Sequence, residues 1–469
     1  MKVEQIYTGC LAEAAYYIES NGEVAIIDPL RETKPYLERA ARDGAKIKYV
    51  FETHFHADFV SGHIDLAEQT GAKIVYGPTS METGFEKIVA TDGQIFKVGD
   101  ITLELLHTPG HTMESSCLLL RDEDNKEVGI FTGDTLFIGD VGRPDLAQRV
   151  IADLTQDKLA RHLYASLRNK IMPLSDHLTV YPNHGQGSAC GKNMSSETTD
   201  TLGNQKESNY ALQPMSENEF VEQVLDGLMP PPAYFPQNVL INIQGYESLD
   251  TVLERGTKAL SPKEFDLMAN ETEALVIDTR SKEKFGAGYI PGSIFIGIDG
   301  SFATWVGTLV PDTKQHILIV AEENRIEEVV TRLSRVGYDN TIGYLNGGFE
   351  AWKKDGREVD TVESITPAAL ATIQEATIID VRKNSEYLSE HVVDATNAPL
   401  DYINESMKLI SNEKKSYVQC AGGYRSMVFI SILQSRGYRK LVDITGGFNA
   451  LKESEKYRVS DYVCPTTLL

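Results

Sequence analysis

A chain of 469 residues, 41% of them hydrophobic, is long enough for about three units that each bury their own core. Its formal net charge of −23 excludes a surface built to neutralise nucleic-acid phosphates or an anionic membrane, because both need basic patches. No uninterrupted apolar stretch reaches the roughly eighteen residues that a membrane-spanning helix requires.

The first residues, Met1-Lys2-Val3-Glu4-Gln5, open neither a basic start nor an apolar core, so no signal peptide is expected and the chain is expected in the cytoplasm. The apolar run 49–51 predicts a strand that ends in Thr53-His54-Phe55-His56-Ala57-Asp58-Phe59. Two histidines and an aspartate leaving one strand end point to a metal, since imidazole and carboxylate donors are its usual ligands. Further strands at 102–106 and 129–131 run into Thr108-Pro109-Gly110-His111 and Thr132-Gly133-Asp134, and Tyr181-Pro182-Asn183-His184 follows. Each puts a ligand-type side chain where a strand meets a loop. Cys117, in the apolar run 117–120, reads as core.

Around these motifs the sequence is less specific. In Gly142-Arg143-Pro144-Asp145, Arg143 is read either as a bidentate anchor for a substrate carboxylate or phosphate, or as the partner of Asp145 in fixing a loop. Cys190 follows His184 closely, with Lys192 nearby to lower its pKa; it is either a relay thiol or a non-catalytic one. The polar stretch 187–208 predicts a long surface loop, and Met229-Pro230-Pro231-Pro232 closes the first unit.

The remainder contains an internal repeat. Val276-Ile277-Asp278-Thr279-Arg280 recurs as Ile378-Ile379-Asp380-Val381-Arg382, and Leu345-Asn346-Gly347-Gly348-Phe349 as Ile444-Thr445-Gly446-Gly447-Phe448. Each copy begins with a helix signal, Ser261-Pro262 and Thr366-Pro367, and alternating strand and helix patterns predict parallel sheets. After strand 416–419 the second copy carries Cys420-Ala421-Gly422-Gly423-Tyr424-Arg425-Ser426. Glycines there let amides point at a thiolate, and Arg425 adds charge. After strand 317–320 the first copy has Ala321-Glu322-Glu323-Asn324-Arg325 instead, with no thiol and two carboxylates that repel an anionic sulfur donor. That copy is expected to be catalytically silent, a spacer or docking unit. His391 reads as architectural. The five cysteines are odd in number and contain no CxxC pair, so reduced thiols are expected.

Two family resemblances rest on these residues. Asp380-Val381-Arg382, the Cys420 loop and Gly446-Gly447-Phe448 resemble a rhodanese, whose loop cysteine carries a persulfide. The Thr53–Phe59 string with His111, Asp134 and His184 resembles the metallo-β-lactamase fold. The expected fold class is therefore α/β multidomain. An αββα sandwich over 1–246 is followed by two rhodanese-like domains with parallel sheets, a silent one over 257–358 and an active one over 363–464.

Dinuclear hydrolases of that superfamily carry HxHxDH, and Phe59 stands at its last position here. The string is similar to persulfide dioxygenases, including those fused to rhodanese domains. That resemblance implies one Fe(II) per chain on His54, His111 and Asp134, with three coordination positions left for O2, a persulfide and water. His56, Asp58 and His184 would then orient the ligands by hydrogen bonding. The implied enzyme oxidises a low-molecular-weight thiol persulfide with O2 to sulfite and uses Cys420 and Arg425 in sulfur transfer giving or using thiosulfate, as sulfide detoxification. A homo-oligomer without nucleic-acid or membrane partners is expected. The alternative is a dinuclear zinc thioester hydrolase of the hydroxyacylglutathione type fused to a sulfurtransferase; a more distant one is a non-enzymatic sulfur-sensing scaffold.

Overall fold

The computed structural model describes residues 1–146, 154–228 and 230–464; Met229 of the proline-rich segment lies outside them. The chain forms two compact units, Met1–Leu249 with Leu333–Gly337, and Asp250–Arg332 with Tyr338–Leu469.

The first unit is built on two six-stranded sheets. One runs Lys2–Thr8, Glu13–Ser20, Glu23–Ile27, Lys46–Phe51, Lys73–Tyr76, Ile88–Val89, antiparallel over its first three strands and parallel from there. The other runs Asp200–Thr201, Thr179–Pro182, Glu127–Gly133, Ser116–Arg121, Ile101–His107, Ile95–Val98. Side chains alternate across a strand, and this sorts the residues between layers. Ala14, Tyr16 and Ile18 enter a core shared with Leu103, Leu105, Leu118, Leu120 and Phe131 of the opposite sheet. Their neighbours Ala15 and Tyr17 instead pack on Tyr36, Ala40 and Leu66 of helices Lys34–Asp43 and His63–Thr70. In the second sheet, Leu119, Ile130 and Val180 face outward onto Ala160 and Leu163 of helix Gln156–Ser166. The result is the αββα sandwich. Phe131 alone, fully buried between the sheets, contributes about 1.5–3 kcal/mol.

Residues 187–199 form the irregular loop expected of the segment 187–208, exposed or half-buried at most positions, while 200–208 depart from that expectation. Cys190 is buried, and the segment ends in strand Asp200–Thr201 and helix Leu202–Ser208. The Thr201 side chain accepts the Asn204 N–H at that helix start, so polar residues that resemble a loop are spent on a cap and an edge strand.

The second unit holds two five-stranded, all-parallel sheets of matching order. The first runs Ala259–Leu260, Thr341–Leu345, Ile317–Val320, Leu275–Asp278, Ile294–Phe295; the second runs Glu363–Ile365, Leu441–Ile444, Ser416–Gln419, Thr377–Asp380, Thr396–Asn397. Central strands such as Ile317–Val320 are buried at every position, as a sheet covered on both faces requires. Both predicted helix starts hold: Ser261 forms a capping box with Glu264, and the Thr366 side chain accepts the Ala369 N–H.

The repeated motifs have one physical cause. Arg280 Nη2 donates to Asp278 Oδ2 at 2.6 Å, and its guanidinium lies 4.3 Å from the Phe349 ring centre. Arg382 repeats this with Asp380 at 2.7 Å and Phe448 at 4.0 Å. A buried aspartate needs a fixed cation, and a buried guanidinium gains from an aromatic face, so the D-x-R and G-G-F strings come as a pair.

Candidate metal centre and sulfur-carrier loop

The candidate metal ligands of the first unit leave the C-terminal ends of strands Lys46–Phe51, Ile101–His107, Glu127–Gly133 and Thr179–Pro182. His54, His111 and Asp134 come together, fully buried, with donor atoms within 4.8 Å of one another. Their neighbours set the tautomers. His54 Nδ1 lies 3.0 Å from Thr53 Oγ1, whose own hydroxyl donates to Asp28 Oδ2 at 2.8 Å. His111 Nδ1–H donates to the Arg143 carbonyl at 2.8 Å, and His184 Nδ1–H to the Ala12 carbonyl at 3.1 Å. In each ring the proton is thereby held at Nδ1, which leaves Nε2 as a bare lone pair.

Those lone pairs converge on a carboxylate. His111 Nε2 lies 3.4 Å from Asp134 Oδ2, His54 Nε2 3.9 Å from the same oxygen, and His184 Nε2 3.5 Å from Asp134 Oδ1. Both Asp134 oxygens and the Nε2 atoms of His54 and His184 are buried without a hydrogen-bond partner. Acceptors facing acceptors in a buried pocket are unfavourable unless a cation lies among them. Burial and the neighbouring imidazoles His56, His111 and His184 also push His54 well below its ordinary pKa, which keeps it neutral as a ligand must be. These residues fit a metal ion.

His56 is placed differently from His54. It clusters with Asp28 and Glu52, its Nε2 lying 3.0 Å from Asp28 Oδ1 and 3.2 Å from Glu52 Oε2. Burial alone would lower its pKa, but those two carboxylates raise it well above the ordinary value. Phe59 is fully buried and stacks on the His56 ring at 4.3 Å between centres. Asp58 and His184 join Cys190 in a third buried group, with His184 Nε2 3.3 Å from Asp58 Oδ2.

Arg143 forms the pair with Asp145 that the loop-fixing reading describes. Its Nε and Nη2 bind Asp145 at 2.6 and 2.7 Å, both residues are buried, and its backbone carbonyl holds His111. Lys192 does not activate Cys190: its ammonium donates to the carbonyls of Gln223 and Asp226. Burial and the charges of Asp58 and Asp134 instead push the Cys190 thiol well above its ordinary pKa. Asp28 and Thr53 were not singled out from sequence. The signal available was an aspartate at the end of an apolar run, Ala25-Ile26-Ile27-Asp28, held at φ 49°.

In the second unit, strand Ser416–Gln419 delivers Cys420, and helix Tyr424–Ser435 follows the loop. Gly423, at φ 98°, donates its N–H to Cys420 Sγ at 3.1 Å, and Ser426 Oγ lies 3.8 Å from the sulfur. The G-G-F turn supports the loop from below: Phe448 N–H donates to the Cys420 carbonyl at 2.7 Å, and a Cβ on Gly447 would lie 2.2 Å from that oxygen. Only glycine fits there. Arg425 forks onto Glu386 at 2.5 and 2.8 Å, so its charge beside the loop is compensated. His391 donates to the Tyr387 carbonyl at 2.7 Å and stacks on that ring, an architectural position. At the corresponding place in the first copy Ala321 replaces the thiol, and Glu322 pairs with Lys284 at 2.6 Å.

This fold and these sites have counterparts among known proteins. Residues 8–184 match the metallo-beta-lactamase superfamily, and 261–355 and 366–454 each match the rhodanese-like domain. A solved structure, a metallo-beta-lactamase from Staphylococcus aureus subsp. aureus COL, superposes with a TM-score of 0.65 at 32% identity, covering 74% of this chain and 98% of that one. The chain therefore belongs to the metallo-beta-lactamase superfamily and carries two rhodanese-like domains behind its metal-binding domain. Among curated proteins it is 36% identical over 166 residues to a hydroxyacylglutathione hydrolase of Rhizobium johnstonii, covering 35% of this chain and 57% of that protein. A hydroxyacylglutathione hydrolase of Polaromonas sp. is 34% identical over 190 residues, 39% of this chain and 66% of that protein. The chain thus spans under two thirds of the length of these relatives.

Proposed function

We propose that the chain is a bifunctional sulfur enzyme: a persulfide dioxygenase in its first unit and a thiosulfate sulfurtransferase in its second. The observation that carries the reading is a three-donor site, His54, His111 and Asp134, from which His56 is set apart with Asp28 and Glu52 and in which Phe59 supplies no ligand. Two imidazoles and a carboxylate on one face suit a single Fe(II) with open positions. Such an ion supplies the redox chemistry that O2 needs. The chain's own part is to keep the Nε2 atoms of His54 and His111 unprotonated and to hold Asp134 beside them. The overall reaction is R-S-SH + O2 + H2O giving R-SH, sulfite and two protons.

Cys420 is the sulfur carrier of the proposal. Its thiolate takes the sulfane sulfur of a persulfide and passes it to sulfite, forming thiosulfate, or runs in reverse from thiosulfate to a thiol. The Gly423 N–H is positioned to stabilise negative charge on the sulfur. Cytoplasmic residence as a homo-oligomer belongs to the same proposal; among the described residues no helix is long and apolar enough to cross a membrane.

A second reading has its own support. Asp58, His184 and Cys190 offer donors beside Asp134, and the curated relatives are named hydroxyacylglutathione hydrolases. A dinuclear zinc hydrolase would use both groups. Replacing Cys420 by Ser tests the bifunctional reading: sulfur transfer is expected to vanish while sulfite formation continues, and loss of both together contradicts two separable sites.

A further inference from the structure

The first rhodanese-like copy has no thiol of its own, yet it reaches the thiol loop of the second with a charged side chain. Lys282 begins helix Lys282–Ala287 of that copy, whose N-terminus is capped by Ser281. Its ammonium donates to the Gly422 carbonyl at 2.5 Å, and a Cβ on Gly423 would come within 2.8 Å of it. Gly423 is also the residue whose N–H meets Cys420 Sγ. One glycine therefore touches both the ammonium and the sulfur.

Packing between the copies holds Lys282 there. Phe295 N–H donates to Ser431 Oγ at 2.9 Å, Tyr289 hydroxyl to Gln434 Oε1 at 2.7 Å, and Tyr424 hydroxyl to the Gly297 carbonyl at 2.8 Å. Those bonds tie the first copy to the helix that carries the thiol loop.

The charges near the loop single out this lysine. Arg425 is neutralised by its fork onto Glu386, while Asp443 accepts the Ser426 hydroxyl at 2.7 Å and interacts electrostatically with Lys282 itself. Lys282 has its nearest carboxylate, on Glu283, at 3.9 Å, and its side chain remains 32% exposed. Its partly exposed side chain thus brings a positive charge to the thiol loop of a protein of net charge −23.

We propose that Lys282 is an anion-binding residue of the Cys420 site, through which the thiol-less copy recognises the sulfonate end of thiosulfate and, in the opposite direction, sulfite. The inference rests on the sulfurtransferase reading of Cys420. In the reaction it serves, the Cys420 thiolate attacks the sulfane sulfur. An S–S bond forms at Cys420 as the S–S bond of thiosulfate breaks, and sulfite leaves with the electron pair. No external oxidant or reductant takes part. The ammonium binds the dianion before transfer and the sulfite after it.

The experiment is steady-state thiosulfate:thiol sulfurtransferase kinetics on the full chain, comparing wild type with Lys282→Ala and Lys282→Arg, alongside Cys420 alkylation by neutral iodoacetamide. A charge-assisted contact predicts that Lys282→Ala raises KM for thiosulfate about tenfold or more with kcat little changed, and that Lys282→Arg restores most of it. Iodoacetamide should react with Cys420 at the wild-type rate in all three. An unchanged KM in Lys282→Ala overturns the inference. So does a loss that Lys282→Arg fails to rescue and that extends to iodoacetamide, since that result describes a loop support. A wild-type protein without thiosulfate activity overturns the sulfurtransferase reading itself, whatever the variants do.

Discussion

His56 is bound to Asp28, with Nε2 3.0 Å from Oδ1, while His54, two residues earlier, is bound to the same aspartate only through the Thr53 hydroxyl. A single carboxylate thus places both histidines of the H-x-H string. One is held in a hydrogen-bonded acidic group and the other is released to a site of bare lone pairs. The strand ending at Ile27 and the strand ending at Phe51 are parallel neighbours, which is what brings Asp28 to Thr53.

Asp28→Asn is therefore predicted to weaken metal binding by about 10- to 100-fold, the usual effect of losing a group that orients a ligand. The amide cannot accept at both positions from the Thr53 N–H, the Thr53 hydroxyl and His56 as the carboxylate does. Competition with a chromogenic chelator measures it. Unaltered affinity would mean that His54 needs no such support.

Phe59→His restores the superfamily's full ligand string beside Asp58 and His184. On the one-iron proposal, the variant is predicted to bind one ion more than the wild type, as read by elemental analysis of both proteins loaded with excess metal. A stoichiometry unchanged by the substitution would show that Phe59 is not what limits the site. Because Phe59 is buried against His56, the same variant is also expected to lose stability.

The strand-end histidines were legible because ligand types stood directly after apolar runs, and both the strands and the helix starts at Ser261 and Thr366 lie where residue pattern places them. The paired D-x-R and G-G-F strings were legible as a repeat, though not as an ion pair capped by an aromatic ring. Other features depend on tertiary closure and leave little local trace. Arg143 has the same sequence context whether it binds a substrate or Asp145, and only the fold shows the fork taken. The polar residues 200–208 cap a helix and pair as an edge strand where a loop was expected, and Lys282 acquires its place from packing between two copies.

Phe448→Ala removes the ring under Arg382 and opens a cavity beneath the thiol loop. It is predicted to cost about 3–5 kcal/mol in chemical denaturation of the second unit. Phe349→Ala should cost a comparable amount through Arg280. Only the former is predicted to slow sulfur transfer, since Ala321 stands where a thiol would be in the other copy.

Burial alone would raise the Glu386 carboxyl, but the Arg425 guanidinium overrides it and holds the group below its ordinary value of 4.5. A lowered carboxylate stabilises the fold above its unfolded-state pKa and loses that contribution as pH falls through the folded value. The stability gap between wild type and Glu386→Gln is thus predicted to be full near about pH 7 and to close as pH falls below 4.5. Thermal melts across that range test it; a gap that persists or widens in acid contradicts the pairing.

The central claim is one ferrous site doing oxygen chemistry. The most direct test is O2 consumption by the Fe(II)-loaded full chain given glutathione persulfide or coenzyme A persulfide, with metal content determined on the same sample. The account predicts O2 uptake with one iron per chain and sulfite or thiosulfate as product. Two zinc ions per chain and no O2 uptake with either persulfide would contradict it and assign the first unit to the hydrolases.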